Sequence, residues 1–193
     1  MKKILAIIIL SIFIMSSSKA DDIRDFQIER MSVGDSLLNF MSESEIESSK
    51  LNYFKDKRKY YVVKAKINNP IYNSVEVYLK TNDKNYEIKS LGGFLVDFTK
   101  DDCLEKKKEI LKEIDTIFSS IKSKSYIKSH EYDKTGKTKQ HLTMYLLGNK
   151  NEHVRVECVF WSKKFKEKQG WKNTLNVVAM TNEIQDWISG GYK

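Results

Sequence analysis

Residues 90–121 read SLGGFLVDFTKDDCLEKKKEILKEIDTIFSSI, and this stretch sets the fold class. It predicts an apolar strand, a turn and a long amphipathic helix. Phe94, Val96 and Phe98 alternate with Leu95, Asp97 and Thr99, a period of two with one apolar face. Gly92 and Gly93 allow the backbone to bend or bulge where the strand begins. Thr99, Asp101 and Asp102 are all helix N-cap types, and Asp102 with Glu105 has capping-box spacing. Carboxylates there also suit the positive end of the helix dipole. Leu104, Ile110, Leu111, Ile114, Ile117, Phe118 and Ile121 recur at helical spacing along one side. The Glu and Lys residues between them form three- and four-residue pairs, each stabilising by only roughly 0.2–0.5 kcal/mol. The apolar stripe therefore decides where the helix sits, and its lysine run reads as a solvated face.

Outward from this stretch, residues 1–20 have the layout of a secretory signal. Lys2 and Lys3 precede an apolar run from Ile4 to Met15, and Ser18-Lys19-Ala20 is a small-x-small cleavage pattern. The run is shorter than the about 20 residues a spanning helix needs. The expectation is a soluble exported protein, periplasmic or secreted, not an integral membrane protein. The Lys-, Ile- and Asn-rich usage suggests a bacterial source. Residues 21–193 then form a single domain, long enough for its own core.

Formal net charge is +8, with 34 basic and 26 acidic residues. Three of the basic residues and none of the acidic ones lie in residues 1–20, which leaves +5. So small an excess favours anionic partners slightly and argues against nucleic acid. Cys103 and Cys158 are the only cysteines. Outside the cytoplasm such a pair reads as one disulfide. The rival reading is a reactive thiol, because a helix N-terminus would lower the pKa of Cys103.

The remaining pattern is mostly β. Strands are predicted at residues 59–67, 74–80, 126–132, 141–147, 153–161 and 174–180, besides the central one. Residues 36–50 read as helical, with a second capping box at Ser42 and Glu45. Residues 162–172 read as a charged connection and 182–188 as a short terminal helix. A three-residue loop at 149–151 puts Leu142, Met144 and Leu146 on one face with Val154, Val156 and Cys158. His141, Thr143, Tyr145, His153, Arg155 and Glu157 then form the outer row. The sum is an α+β fold: an antiparallel sheet of about six to seven strands packed on one long amphipathic helix, with short helices near both ends.

Three motifs invite chemistry. Gly34-Asp35-Ser36-Leu37 spells the signature of the GDSL esterases, with Ser36 as nucleophile. That family's late Asp-x-x-His is absent, because none of His130, His141 or His153 has Asp three residues before it. Gly136-Lys137-Thr138 resembles the end of a phosphate-binding loop, but Glu131 occupies the required glycine position. The three histidines match no metal-ligand spacing. No cofactor and no metal is implied. The best binding candidate is the basic aromatic stretch of Trp161, Lys163, Lys164, Phe165, Lys166, Lys168, Trp171 and Lys172, with Tyr145 and Arg155 as neighbours. Charge plus apolar contact there suits an anionic lipid, lipopolysaccharide or an envelope protein.

The start DIRDFQIERMSVGDSLLNFMSESEI, the Lys-Lys-Lys-Glu-Ile helix behind Cys103, the Asp-Lys-x-Gly-Lys turn and Val-Glu-Cys158 followed by Trp161-Ser resemble a group of small exported bacterial proteins of unknown function. The resemblance implies a two-cysteine α+β domain and no particular activity. It places the GDSL letters in a local context other than a nucleophile elbow. The expected function is a non-catalytic binding domain, with a Ser36 esterase as the alternative and a thiol-disulfide protein as a third reading.

Overall fold

The structure is a computed structural model and describes residues 22–54, 59–68, 70–148 and 152–190. The signal-like segment and the 149–151 loop lie outside the described residues. The chain opens with a 3-10 turn at Ile23–Asp25 and a two-residue hairpin, β1 (Gln27–Ile28) and β2 (Met31–Ser32). A second 3-10 turn at Leu37–Asn39 leads to α1 (Glu43–Ser48), β3 (Lys50–Leu51), β4 (Tyr60–Lys64), β5 (Ser74–Lys80) and β6 (Ile88–Val96). The long helix α2 (Lys100–Ile117) follows, then β7 (Lys124–Ser129), β8 (Lys139–Leu147), β9 (Glu152–Phe160), α3 (Lys163–Gln169), β10 (Thr174–Met180) and α4 (Asn182–Ser189). Strands β3 to β10 make one eight-stranded antiparallel sheet in the order β3-β4-β5-β6-β10-β9-β8-β7.

The seven predicted strands are all present, and β3 is the eighth. The helical reading of 36–50 gives way to the 3-10 turn and β3 at its two ends, while α1 starts at the Ser42 cap as a separate short helix, as the Ser42–Glu45 box indicates. The predicted connection at 162–172 contains α3, which stops at Gly170 in the left-handed conformation (φ 66°).

Thr99 caps α2, its hydroxyl accepting from Asp102 N–H at 3.2 Å and donating to the Asp102 carboxylate at 2.6 Å. The cap is thus three residues earlier than the Asp102–Glu105 box expected from the sequence. This start places Cys103 in the first turns of α2, bonded to Cys158 on β9 with the α-carbons 6.2 Å apart. Both cysteines are fully buried, so no external thiolate reaches the bond. Ile114 and Phe118 share one core cluster with Val154 and Val156 of β9 and Leu175 and Val177 of β10. Tyr145 on β8 donates to the Asp115 carboxylate at 2.6 Å, and Lys107 donates to the His141 carbonyl at 2.7 Å.

Two expectations about faces are corrected. In the observed register Leu142 pairs with Glu157, Met144 with Arg155 and Leu146 with His153, while His141 pairs with Cys158. The α2 side of β8 is therefore His141, Thr143 and Tyr145, because a register shifted by one residue flips every side chain. On β6, Leu95 packs into the core and Val96 is exposed, the reverse of the predicted Phe94–Val96 apolar face. Gly92 and Gly93 do not bulge; the irregularity lies between Tyr78 and Leu79. Instead the Tyr72 ring lies so close that a Cβ on Gly93 would meet it at 2.6 Å. The glycine makes room for an aromatic ring.

Removing the bridge by Cys103→Ala with Cys158→Ala frees a loop of 55 residues in the unfolded chain. The chain-entropy argument predicts a loss of about 4 kcal/mol, read as a lower urea midpoint. Lys107 gives a pH signature. Burial pushes its ammonium down to about 8 from 10.5. Between those values the unfolded chain holds the extra proton, so stability rises with pH from about 8. Burial of Tyr53, Tyr61 and Tyr72 raises each to about 12 from 10.0. Above 10 the unfolded chain loses those protons first, and stability falls. Urea titrations across pH 7–11 should show this rise and fall, and Lys107→Met should abolish the rise alone.

Candidate functional site

The sheet face opposite α2 is closed at one end and open at the other. Ile184 and Trp187 of α4 are buried with Tyr60, Val178 and Met180, backed by Phe54 and Tyr78. Past the end of α4 the face hollows into a concavity of about 890 Å³ over β7, β8 and β9. Its floor holds Leu142, Met144 and Leu146 from β8 and His153, Arg155 and Glu157 from β9. Tyr126, Lys128, His130 and Tyr132 stand on one side, Gln185, Ile188 and Ser189 on the other. Strand alternation makes this lining. The residues that pair across β8 and β9 on this face are the ones one step out of phase with Cys158.

The floor carries both charge signs, treated differently by the fold. Glu157 is buried, and its two oxygens accept from Gln140 Nε2 at 3.1 Å and Asn176 Nδ2 at 3.2 Å. Two amide donors thus replace the water it has lost. Arg155 is half-buried, its Nε is shielded from solvent without an acceptor, and it makes no ion pair among the described residues. A guanidinium presents a planar fork of donors matched to carboxylate or phosphate. Leu142, Met144, Leu146 and Ile188 supply apolar surface around it, while Lys128 and Lys134 on the rim add positive charge and Glu131 and Glu157 negative charge.

The predicted basic aromatic stretch adjoins this concavity. Trp161, Phe165 and Trp171 form a compact cluster, with centroids 4.3 Å apart for the two Trp rings, 5.2 Å for Phe165–Trp171 and 5.7 Å for Trp161–Phe165. His130 packs at a tilt against Trp161, with centroids 4.5 Å apart, and against Tyr132 at 5.1 Å, joining the cluster to the wall of the concavity. The three rings are half-buried, mainly against one another. Lys163, Lys164, Lys166 and Lys168 project to solvent from α3. Lys163 pairs with Glu167 at 3.7 Å, and Lys172 pairs with Asp97. Burial lowers the His130 pKa below 6.5, despite the opposing pull of Glu157.

The other sequence candidates sit elsewhere. Ser36 caps the 3-10 turn, accepting from Leu38 N–H at 3.3 Å and donating its proton to the Asn85 carbonyl at 2.6 Å. Gly34 takes a positive φ of 92° in the preceding turn, which Asp35 N–H closes onto the Ser32 carbonyl. His141 and His153 fall on opposite faces of the sheet, not on one as the sequence reading allowed. No cluster of three metal-ligating side chains occurs among the described residues. Thr138, from the Gly-Lys-Thr triplet, is buried and donates to Asp133 at 2.7 Å, tying a turn. Sequence reasoning missed Gln140 and Asn176, whose amides show their purpose only beside Glu157. It had placed His153, Arg155 and Glu157 on one row, as found.

No protein-family model matches the chain, and neither does any curated protein or solved structure. No helix among the described residues is long and apolar enough to cross a membrane.

The His130–Trp161 ring contact has a spectroscopic consequence. A protonated imidazole quenches an adjacent indole. Tryptophan emission should therefore fall as pH drops, with a midpoint below 6.5 because the desolvated ring resists protonation. His130→Gln should remove that titration while leaving the folded-state circular dichroism unchanged.

Proposed function

We propose that the chain is an exported binding domain for an anionic, partly apolar component of the cell envelope. The carrying observation is Arg155. Its side chain lies on the floor of the face opposite α2, between Met144 and Val178 on the neighbouring strands, and its Nε has no hydrogen-bond acceptor. An incoming phosphate or carboxylate supplies the acceptor, and Leu142, Met144 and Leu146 take the adjoining hydrocarbon. The half-exposed rings of Trp161, Phe165 and Trp171 and the lysines of α3 extend the same chemistry along the rim. In this reading the α3 lysines draw an anionic surface in and Arg155 makes the specific contact.

The export half of the proposal rests on the buried disulfide, which suits an oxidising compartment, and on the signal-like composition of residues 1–20. The destination is the periplasm or the exterior, the source is bacterial, and the chain belongs with the exported two-cysteine proteins it resembles. The packing of the whole sheet against one long helix is part of this reading, since it is what leaves the opposite face for a ligand.

Co-sedimentation with phosphatidylglycerol vesicles and with lipopolysaccharide, at low and high salt, tests it. Binding should be salt-sensitive. Arg155→Gln should weaken it by at least roughly tenfold, as expected for loss of a desolvated charge contact. The variant with Lys163, Lys164, Lys166 and Lys168 all changed to Gln should lose less. If the four-lysine variant alone loses binding, the site is the α3 surface and the concavity is rejected. If the wild-type chain stays in the supernatant with both anionic partners, the proposal fails.

A further inference from the structure

Strand β7 is an open edge. All six of its residues are exposed, with Tyr126 at 43% and Ile127 at 63%, and it is the last strand of the sheet. His130 N–H donates to the Thr138 carbonyl at 3.0 Å. Antiparallel pairing alternates, so the even-numbered residues of β7 bond β8. Ser125, Ile127 and Ser129 therefore point their N–H and C=O groups away from the sheet. The side chains agree: Ser125 and Thr143 hydroxyls meet at 2.8 Å, the close approach of a non-hydrogen-bonded pair. Such an edge is a template for another strand unless something blunts it. β7 contains no proline and no bulge, and no element among the described residues covers it; only two lysines stand guard.

We infer that β7 pairs with β7 of a second copy of this chain, antiparallel about a two-fold axis through Ile127. The sequence KSYIKS selects that register. A two-fold axis normal to the sheet keeps each side chain on its own face, so paired residues must share parity. Centring on Ile127 sets Ile127 against its counterpart, Ser125 against Ser129 and Tyr126 against Lys128. Every outward N–H then meets an outward C=O, giving about six backbone hydrogen bonds. Each Lys128 ammonium lies beside a Tyr126 ring of the other copy, a cation–π contact. Centring on Tyr126 instead opposes Lys124 to Lys128 twice, which like-charge repulsion disfavours. The two lysines that would deter pairing in that register thus become contacts, or stand clear, in the first. The joined sheet carries both concavities on the same face, side by side, since Tyr126 and Lys128 line their inner walls. That arrangement suits a repeating anionic surface, although the pairing itself does not depend on the ligand reading.

The test is sedimentation equilibrium of the ligand-free chain together with cysteine scanning along β7. The wild-type chain should sediment at twice its monomer mass. Ile127→Pro should return it to monomer. The N–H it removes points outward, so the β8 ladder survives and circular dichroism reports folding. Ile127→Cys should cross-link to a covalent dimer under mild oxidation, because paired α-carbons about 5.5 Å apart allow a disulfide. Tyr126→Cys and Lys128→Cys, each opposite a different residue, should cross-link far less. A wild-type monomer at every concentration overturns the inference. So does a dimer that Ile127→Pro leaves intact, or cross-linking strongest at Tyr126. Loss of vesicle binding with the dimer intact strikes the ligand proposal alone.

Discussion

The Cys103–Cys158 bond fixes which face of β9 meets the long helix, and most of the molecule follows from that parity. Cys158 points toward α2, so Val154 and Val156 do too. By alternation His153, Arg155 and Glu157 are driven to the other side. Cross-strand pairing spreads the choice: Leu175 and Val177 on β10 and Thr143 and Tyr145 on β8 fall in with Cys158. One covalent contact thereby separates an apolar helix-facing side from a mixed side that α4 covers only in part.

Much of this was legible locally. Alternation found seven strands, helical spacing found α2, and the Ser42–Glu45 box is present as read, with reciprocal bonds. The disulfide followed from having two cysteines and the expectation of an oxidising compartment. What failed was the face of β8. Leu142, Met144 and Leu146 look like the core row, yet they line the concavity. Their rival row includes Tyr145, buried beneath α2 with its hydroxyl on Asp115. When both faces of a strand are half-buried, hydrophobicity alone does not name the inner one, and a single loop residue decides it. The purpose of Gly93 was likewise hidden, because Tyr72, twenty-one residues earlier, is the ring it accommodates.

The basic aromatic stretch was found by composition, but its structure divides it. The rings pack into a corner that touches the concavity through His130 and Tyr132, whereas the lysines fan outward on α3. Sequence proximity had joined two things that the helix separates. Arg155, the residue proposed for the anion contact, belongs to the sheet.

The treatment of charge across the molecule argues that Arg155 is not incidental. Asp133 is buried and accepts from the backbone N–H and hydroxyl groups of both Thr135 and Thr138, which hold its pKa far below the usual carboxylate range. Lys107 is buried and donates to a carbonyl. Glu157 is buried and accepts from two amides. In each case the fold supplies the partner that water would have been, as the cost of an unpaired buried polar group requires. Arg155 departs from the pattern of these charged groups, because its Nε is buried without a hydrogen-bond partner. Its cross-strand neighbours, Met144 and Val178, are both apolar, so neither side chain offers a carboxylate for it. A guanidinium whose Nε lacks an acceptor on the floor of an open concavity of mixed polarity makes physical sense when its counter-charge arrives from outside.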